Sequence, residues 1–284
     1  MTAPASHNGI LLRPAADVLS LEPGIYLDVP FEQYLKIKAL SNSKLCAFER
    51  SAGQAIWQQD APQDDEADSA ADLGTLVHTL ALEPDSVTDR YLVMPRLKLT
   101  TNEGRAKAAE YEAQAKAAGL IPMDFATMRK ARLMAASLMA YPDIRIWLTT
   151  ENGYSEATIL WRDAATGLLC KARCDRLVFV TGGAVILDVK TIADAEKLNR
   201  WKIIDLGYDR QDAHYSEGVA AQGVGSVWFY FAFVGSSMAL KRYPVRYVQL
   251  DDDLAANAHA KQRARLAKYK DCLDFNDFTG AETI

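Results

Sequence analysis

Two aspartates and a lysine stand on neighbouring predicted strands, where their spacing could support chemistry on a phosphate ester. Asp188 and Lys190 are two residues apart and therefore project from the same face of their strand. The Gly182-Gly183 pair predicts a two-residue hairpin turn, which places Asp175 of the preceding strand opposite Lys190. Two carboxylates and an ammonium are therefore expected on one patch.

A third carboxylate is expected on the same face. The longer turn at 163–167 places Glu156 opposite Arg173. Carboxylates that converge repel one another unless a cation lies between them, and Mg²⁺ prefers oxygen ligands. Lys190 could then orient an attacking water or stabilise charge on a pentavalent phosphorane. The alternative is a surface ion pair of Asp175 with Lys190, which contributes little to stability.

Predicted helices and strands position these residues in an α/β fold whose N-terminal half is helical. Helices are predicted over 30–34, from Ser41 onward, and over 72–83, 102–119, 124–141, 210–222 and 254–269. Strands are predicted over 91–95, 154–161, 168–180, 184–190, 226–234 and 239–249. The acidic stretch 58–72 is expected to be a solvated loop. We expect one domain over 24–269, with tails at 1–23 and 270–284.

Composition excludes several classes of protein. Of the 284 residues, 24% are charged and 49% hydrophobic, which is typical of a globular chain and excludes a disordered, collagen-like or coiled-coil protein. The net charge of −5 excludes a basic nucleic-acid coat but allows a local basic groove.

The same survey bears on location and cofactors. The sequence has no apolar run long enough to span a membrane and no secretory signal. Its four scattered cysteines predict reduced thiols in a cytoplasmic protein, with a four-cysteine metal site as the alternative. The phosphate-cradling G-x-x-x-x-G-K pattern does not occur, so we expect no use of ATP.

Three further polar residues are candidates on helices. His78 interrupts an apolar helical stripe, where a histidine is usually a buried core residue; the nearby acids make it a candidate metal ligand. Gln211 and Tyr215 are four residues apart and share a helix face, the alternative being a polar helix edge. His214 between them is expected at the surface.

These residues resemble a known nuclease family. Asp175, followed one hairpin later by Asp188-Val189-Lys190, resembles the PD-(D/E)xK core, while Gly74 to His78 and Gln211 to Tyr215 resemble the G-x-x-x-H and Q-x-x-x-Y helices of its RecB-like branch. Segments 40–45, 78–95, 166–175 and 208–218 are similar to the nuclease domain of the exodeoxyribonuclease VIII (RecE) family of phages and prophages. The resemblance covers about residues 24–250. Cys174 departs from the family, which usually has proline there.

The resemblance implies a restriction-endonuclease-like mixed sheet flanked by helices. It also implies Mg²⁺-dependent 5′→3′ degradation of one strand from a duplex end, leaving a 3′ single strand for an annealing recombinase. Two metal ions are expected, and Mn²⁺ could substitute for Mg²⁺. Relatives form rings, so the resemblance implies a homo-oligomer, either a trimer or a tetramer. It also implies a bacterial or phage-infected cell as the location. An endonuclease, a flap nuclease or a catalytically silent DNA-binding module of the same fold are the alternatives.

The resemblance also assigns roles. It makes His78, Asp175, Asp188 and the Val189 carbonyl metal ligands, Lys190 the catalytic lysine, Glu156 a neighbour of the second metal or water, and Gln211 and Tyr215 contacts to the DNA backbone or supports of the site. Basic clusters at 96–98, 129–132, 200–202, 241–242 and 261–270 are candidates for phosphate contacts.

Overall fold

A mixed sheet of eight strands forms the centre of the molecule, with helices on both faces. The computed structural model describes residues 6–7, 10–61 and 73–279. The strands of this sheet are β1 (Ser6–His7), β2 (Ile10–Pro14), β3 (Gly24–Leu27), β6 (Gly153–Arg162), β7 (Leu169–Val180), β8 (Gly183–Ile192), β9 (Ser226–Gly235) and β10 (Val245–Val248). They lie side by side in this order. A separate parallel pair joins β4 (Tyr91–Val93) to β5 (Ile121–Met123). This arrangement confirms the predicted α/β class.

Two pairs of strands in the large sheet are parallel, β2 with β3 and β8 with β9. The other neighbours, including the β6–β7–β8 meander, are antiparallel. A parallel pair requires a crossover, and the chain between β8 and β9 supplies it with two helices.

The helices bury apolar residues against the sheet from both sides. They are α1 (Phe31–Lys36), α2 (Asn42–Arg50), α3 (Ala52–Asp60), α4 (Leu73–Leu82), α5 (Val87–Arg90), α6 (Asn102–Ala118), α7 (Phe125–Ala140), α8 (Pro142–Thr149), α9 (Arg200–Asp205), α10 (Tyr208–Ala220) and α11 (Asp252–Phe275). One core contains residues of α2, α10 and α11 and such sheet residues as Ile186. The other contains residues of α4, α7 and α8 with Leu187 and Val189. Adjacent residues of β8 thus enter opposite cores, as the period-two pattern predicts.

The predicted N-terminal tail over 1–23 is wrong for residues 10–20. These residues form β2 and a short 3-10 helix (Ala15–Ser20), and they bury Leu12 and Val18. The predicted strands also do not include β3, at Gly24–Leu27. Both strands are short and lack a clear alternation, so their pairing with each other and with β6 decides their structure.

The C-terminal boundary at 269 is wrong as well, because α11 continues to Phe275. Asn276 has a left-handed backbone (φ 51°) that ends the helix, a conformation that asparagine tolerates. Phe278 then packs against the first core.

Most other elements match the predictions, with local corrections. The structure confirms the helices predicted over 72–83, 102–119 and 124–141, and Ser41 caps α2 by accepting a hydrogen bond from the Lys44 amide. Pro142 does stop α7, but it also occupies the first turn of α8, where proline is tolerated. The predicted strand over 239–249 is confined to 245–248. In the predicted loop 58–72, helix α3 extends to residue 60, and residues 62–72 lie outside the described residues. None of the described helices is long and apolar enough to cross a membrane.

Candidate active site

The β7–β8 hairpin brings the two aspartates together. Leu187 pairs with Arg176, so the next residues along, Asp188 and Asp175, lie opposite each other. The predicted pairing of Asp175 with Lys190 is therefore wrong. Relative to the predicted pairing, β8 is shifted by two residues along β7. Because this shift is an even number, each side chain stays on the face that the alternation predicted.

The two glycines of the hairpin explain this shift. Only Gly182 has a turn conformation, with φ 81°, and the two-residue turn is Thr181-Gly182. Gly183 is the first residue of β8. A Cβ at Gly183 would lie 2.0 Å from the main-chain oxygen of Ser226 on β9. Gly183 therefore allows the close approach of two parallel strands, a role that the sequence pattern alone does not distinguish from a turn.

Glu156 does not pair with β7 in the β6–β7 ladder, at the position of Asp175. Its neighbours Ser155 and Ala157 both pair with β7, and this register places Glu156 opposite Asp175 and not opposite Arg173. Glu156 has φ 54°, an unfavourable left-handed backbone for a residue that is not glycine. Its Oε2 nevertheless accepts a hydrogen bond of 2.5 Å from Arg173 Nε. The predicted pairing of Glu156 with Arg173 is therefore wrong, because Arg173 pairs with Thr158, although the two side chains are in contact.

His78, Glu156 and Asp175 form a compact group, called the acidic cluster below. One potential ligand atom of each residue lies within 4.8 Å of those of the other two. His78 Nδ1 lies 3.5 Å from Asp175 Oδ2, and that oxygen also accepts a hydrogen bond of 2.8 Å from the Val189 amide. An imidazole and two carboxylates can hold a divalent cation such as Mg²⁺ or Mn²⁺.

The electrostatics of Asp175 fit a cation at this position. Burial, followed by the negative charge of Asp188, raises the pKa of the Asp175 carboxyl, although His78 and Lys190 act in the opposite direction. The positive side chains of the protein therefore neutralise the charges of Asp175 and Asp188 only in part. A bound divalent cation would relieve that repulsion.

Asp188 lies beside the acidic cluster but has other partners. Its side chain is only 1% exposed, with Lys190 Nζ 2.6 Å from Oδ2. Gln211 of α10 donates a hydrogen bond of 2.5 Å from Nε2 to Oδ1. The structure thus places the predicted ligand Asp188 between a lysine and an amide, and Gln211 positions its carboxylate.

Lys190 is held in its charged form. Burial lowers the pKa of Lys190, but the carboxylates of Asp188 and Asp175 outweigh burial and raise it. An ammonium of this kind can stabilise negative charge on a phosphate, whereas a lysine acting as a base would need a lowered pKa. The Val189 main chain reaches Asp175 through its amide, and a role for its carbonyl stays a prediction.

A cleft of about 750 Å³ opens over the acidic cluster. Its walls come from α1, α2, α4, β6 and β7, and Tyr215 of α10 lines it as well. Burial raises the pKa of Tyr215 well above its usual value, so its hydroxyl stays protonated. The lining residues are Phe31, Tyr34, Leu35, Ser41, Ser43, Gly74, Thr75, His78, Thr79, Glu83, Arg90, Glu156, Lys171, Arg173, Asp175, Thr191 and Tyr215.

Two cations that β7 contributes to the cleft received no role from the sequence. Lys171 Nζ donates hydrogen bonds to the main-chain oxygens of Tyr34 and Ile37, both 2.9 Å, and so holds the C-terminal end of α1 against β7. Arg173 donates to Glu156 and to the Val29 oxygen. The spacing Lys-x-Arg-x-Asp on one strand is the only sequence signal for them, because their partners belong to a segment far away in the chain.

His214 is buried, and the expectation of a surface position is wrong. Its Nε2 lies 3.0 Å from the Lys171 carbonyl, which can only accept, so Nδ1 accepts from Gln262 at 2.9 Å. Arg265 donates to Gln262 Oε1 and to Asn42 Oδ1. These residues, His214, Gln262, Arg265 and Asn42, are called the buried network below. Burial, followed by the charge of Arg265, lowers the pKa of His214 to about 3.

The four cysteines are free, as predicted.

Comparison with known proteins identifies the family. A family model described as "PDDEXK-like domain of unknown function (DUF3799)" matches residues 41–279. The crystal structure of a candidate exonuclease from Eubacterium rectale superposes with a TM-score of 0.53 at 15% identity, over 89% of this chain and 94% of that one. The two proteins therefore share a fold, which confirms the restriction-endonuclease-like architecture.

Two further solved structures superpose with lower TM-scores. SSO0001 is 15% identical over 59% of this chain and 70% of its own, with a TM-score of 0.28. VC1899 from Vibrio cholerae is 12% identical over 79% of this chain and 57% of its own, with a TM-score of 0.22. Among curated proteins, none matches the chain.

Proposed function

The chain belongs to the PDDEXK-like family DUF3799 and is a PD-(D/E)xK nuclease, and from this premise we propose that it resects the ends of linear duplex DNA. The observation that carries the proposal is the acidic cluster in the wall of a cleft, with Lys190 beside it as an ammonium. The proposed activity is 5′→3′ degradation of one strand, dependent on Mg²⁺ and independent of ATP, which leaves a 3′ single strand for recombination.

The cleft suits one strand better than a duplex. About 750 Å³ is the size that encloses a drug-sized ligand, which corresponds to the terminal part of a single strand. Arg173 and Arg90 give the cleft cations for phosphates, and Phe31, which is 58% exposed, provides an aromatic ring on which a base can stack. A strand end is the part of a duplex that can enter such a space.

The residues divide the chemistry between them. His78, Glu156 and Asp175 would hold the divalent cation, which supplies Lewis-acid stabilisation and a water of lowered pKa when bound. Lys190 places a positive charge where negative charge develops on the phosphate. Asp188 orients Lys190, and Gln211 orients Asp188. Arg173 fixes the Glu156 carboxylate, which can accept the proton of the attacking water.

The polarity and the assembly rest on other support. The 5′→3′ direction, the ring-shaped homo-oligomer and the annealing partner are proposed from the motifs that resemble the exodeoxyribonuclease VIII family. The name of the Eubacterium rectale protein is consistent with an exonuclease. Light scattering on the purified full chain tests the ring, for which we expect a mass of three or four subunits.

A digestion assay tests the activity. The full chain is incubated with Mg²⁺ and no ATP on linear duplex labelled at the 5′ end, the same duplex labelled at the 3′ end, and a closed circle. We expect early release of the 5′ label and an intact circle. Asp188→Asn should be inactive, whereas the matched variant Asp274→Asn, an exposed aspartate on α11, should equal the wild type.

Four results would contradict the proposal. Early release of the 3′ label would reverse the polarity. A cut circle would indicate an endonuclease, and cleavage only at flaps would indicate a flap nuclease. Binding of DNA with no cleavage in Mg²⁺ or Mn²⁺ would identify a silent DNA-binding module.

A further inference from the structure

A strained turn connects β9 to β10. Ala239 and Arg242 form an isolated antiparallel bridge, and the two residues between them make the turn. Leu240 has φ 49° and Lys241 has φ 63°, both in the left-handed region. Such turns favour asparagine and glycine, and a leucine there costs free energy. A large apolar residue at this position needs a reason outside the turn itself.

The strained leucine contributes nothing to a core. Leu240 is 96% exposed, and Met238 in the same loop is 62% exposed. Lys241 and Arg242 follow and are exposed as well. The loop thus presents apolar side chains in water beside two cations. Strain of this kind is often retained where a side chain has a function.

The turn follows the C-terminal end of β9, and Lys190 lies near the same end of the neighbouring strand β8. Lys190 pairs with Phe233 of β9. The amide of Ser236 donates to the Ile192 oxygen at 2.7 Å, which fixes the start of the loop beside the end of β8. The chain from Phe233 to Leu240 can extend at most about 25 Å. Leu240 is therefore within reach of a duplex whose end lies in the cleft.

The surface next to the turn is basic. A groove of about 480 Å³ lies between the loop and α7, and its lining residues include Leu133, Tyr141, Lys241 and Arg242 but no carboxylate. Arg129 and Arg132 continue the helical stripe of the groove-lining residues, at i and i+4 spacings, and both are exposed. The first acid along the chain from this stripe is Asp143, which follows the groove residue Pro142.

The positive charge of this surface bears on whether its partner is a second copy of the chain or a polyanion. Two copies related by a twofold axis would place this surface against itself and bring like charges together, which is unfavourable, whereas the ring proposed above joins two different surfaces of the chain. A polyanion is complementary to it, although the whole chain carries a net charge of −5. Apolar side chains flanked by arginine and lysine are also the means by which proteins enter a stack of bases.

We propose that the β9–β10 turn is a DNA wedge. Lys241 and Arg242 hold the phosphate backbone, and Leu240 inserts at the terminal base step where the duplex meets the cleft. The proposal rests on the proposed function, because it assigns a duplex end as the substrate of the site.

The test reports base unstacking without cleavage. A duplex carries 2-aminopurine in its terminal base pair, and Ca²⁺ replaces Mg²⁺ in the assay. Binding of the full wild-type chain should raise the fluorescence several-fold. Leu240→Asn should bind within threefold of the wild type but leave the fluorescence unchanged. Asparagine tolerates the left-handed backbone, so this variant should keep or raise the melting temperature.

The matched control is Leu19→Asn. Leu19 is 62% exposed and lies next to β2, near the opposite edge of the sheet. This variant should behave as the wild type. Lys241→Asn should lower the affinity for duplex of any sequence and reduce the salt dependence of binding by about one charge.

The outcomes separate the wedge from the nuclease. An unchanged fluorescence rise in Leu240→Asn, or no rise in the wild type, overturns the wedge even if the protein digests DNA. A Leu240-dependent rise in a protein that never digests DNA supports the wedge and overturns the proposed function. A Leu240→Asn variant that changes only its mass in solution shows that the turn is a contact between subunits, which also overturns the wedge.

Discussion

The acidic cluster and the buried network each contain a histidine and use it in opposite ways. His78 lies beside two carboxylates, at the edge of a cleft, and its neighbour Asp175 keeps a raised pKa. His214 is completely buried, and both of its ring nitrogens have neutral partners. Polar groups that satisfy one another stabilise a fold, whereas like charges that converge destabilise it and indicate a binding role.

The two regions share strand β7. The Lys171 carbonyl accepts from His214 on one side, while its ammonium holds α1 at the cleft on the other. Asp175 follows four residues later on the same strand. A satisfied network thus supports the strand that carries the buried Asp175 carboxylate, which the charge of Asp188 repels, and this is how a fold can stabilise a site of converging charges.

The largest expected effect is on activity at the acidic cluster. Asp175→Asn should lower the rate of DNA digestion about a thousandfold, or about 4 kcal/mol, because it removes a ligand of the cation. In metal-free protein the same change should keep or raise the melting temperature, since it removes one of the converging negative charges. The matched Asp274→Asn should change neither quantity. An active Asp175→Asn protein would show that the cluster does not hold the reactive cation.

The next effect is on stability in the buried network. His214→Leu should lower the free energy of unfolding by about 3 kcal/mol, because the Lys171 carbonyl and the Gln262 amide lose their partner inside the protein. Urea unfolding measures this change. Activity per folded molecule should stay within twofold of the wild type.

The matched variant His78→Leu should do the reverse, with little loss of stability and a large loss of activity. If both leucine variants changed the same quantity, the contrast between the two regions would be wrong.

A pH dependence distinguishes the regions further. The pKa of His214 is about 3 in the folded state and about 6.5 in the unfolded chain. The unfolded chain therefore binds the proton first, so this contribution to stability is complete above pH 6.5 and is lost as the pH falls. The stability difference between wild type and His214→Leu should shrink by about 2 kcal/mol from pH 7 to pH 5.

Comparing these two proteins removes the contribution of Asp212, which they share. Burial raises the pKa of Asp212 to about 6, so that contribution has the opposite sign and favours the folded state at lower pH. A constant difference between the two proteins over this range would mean that folding does not lower the pKa of His214.

The smallest effect concerns the residue that orients Asp188. Gln211→Leu should lower the digestion rate about tenfold, or about 1.4 kcal/mol, because Asp188 loses its hydrogen bond and holds Lys190 less firmly. Gln114→Leu on the exposed face of α6 is the control and should have no effect. A rate for Gln211→Leu equal to the wild type would show that Lys190 alone positions Asp188.

The sequence could predict the side-chain faces of the catalytic strands but not their register. Alternation places Asp188 and Lys190 on one face whichever glycine forms the turn. A shift of two residues in the pairing of β7 with β8 therefore leaves the predicted face unchanged. The shift itself depends on β9, which approaches Gly183 too closely for a side chain. The left-handed backbone of Glu156 left no trace in the local pattern either.

Local patterns determined the fold class, the long helices and strands, and the types of residue at the site. The motif resemblance supplied the PD-(D/E)xK assignment from the same residues, whereas the likeness to the exodeoxyribonuclease VIII family stays a prediction. Tertiary structure alone decided which polar residues meet. It placed Gln211 beside Asp188, brought His78 to Glu156 and Asp175, and buried His214. These contacts join segments far apart in the chain, and periodicity along one strand or helix carries no information about them.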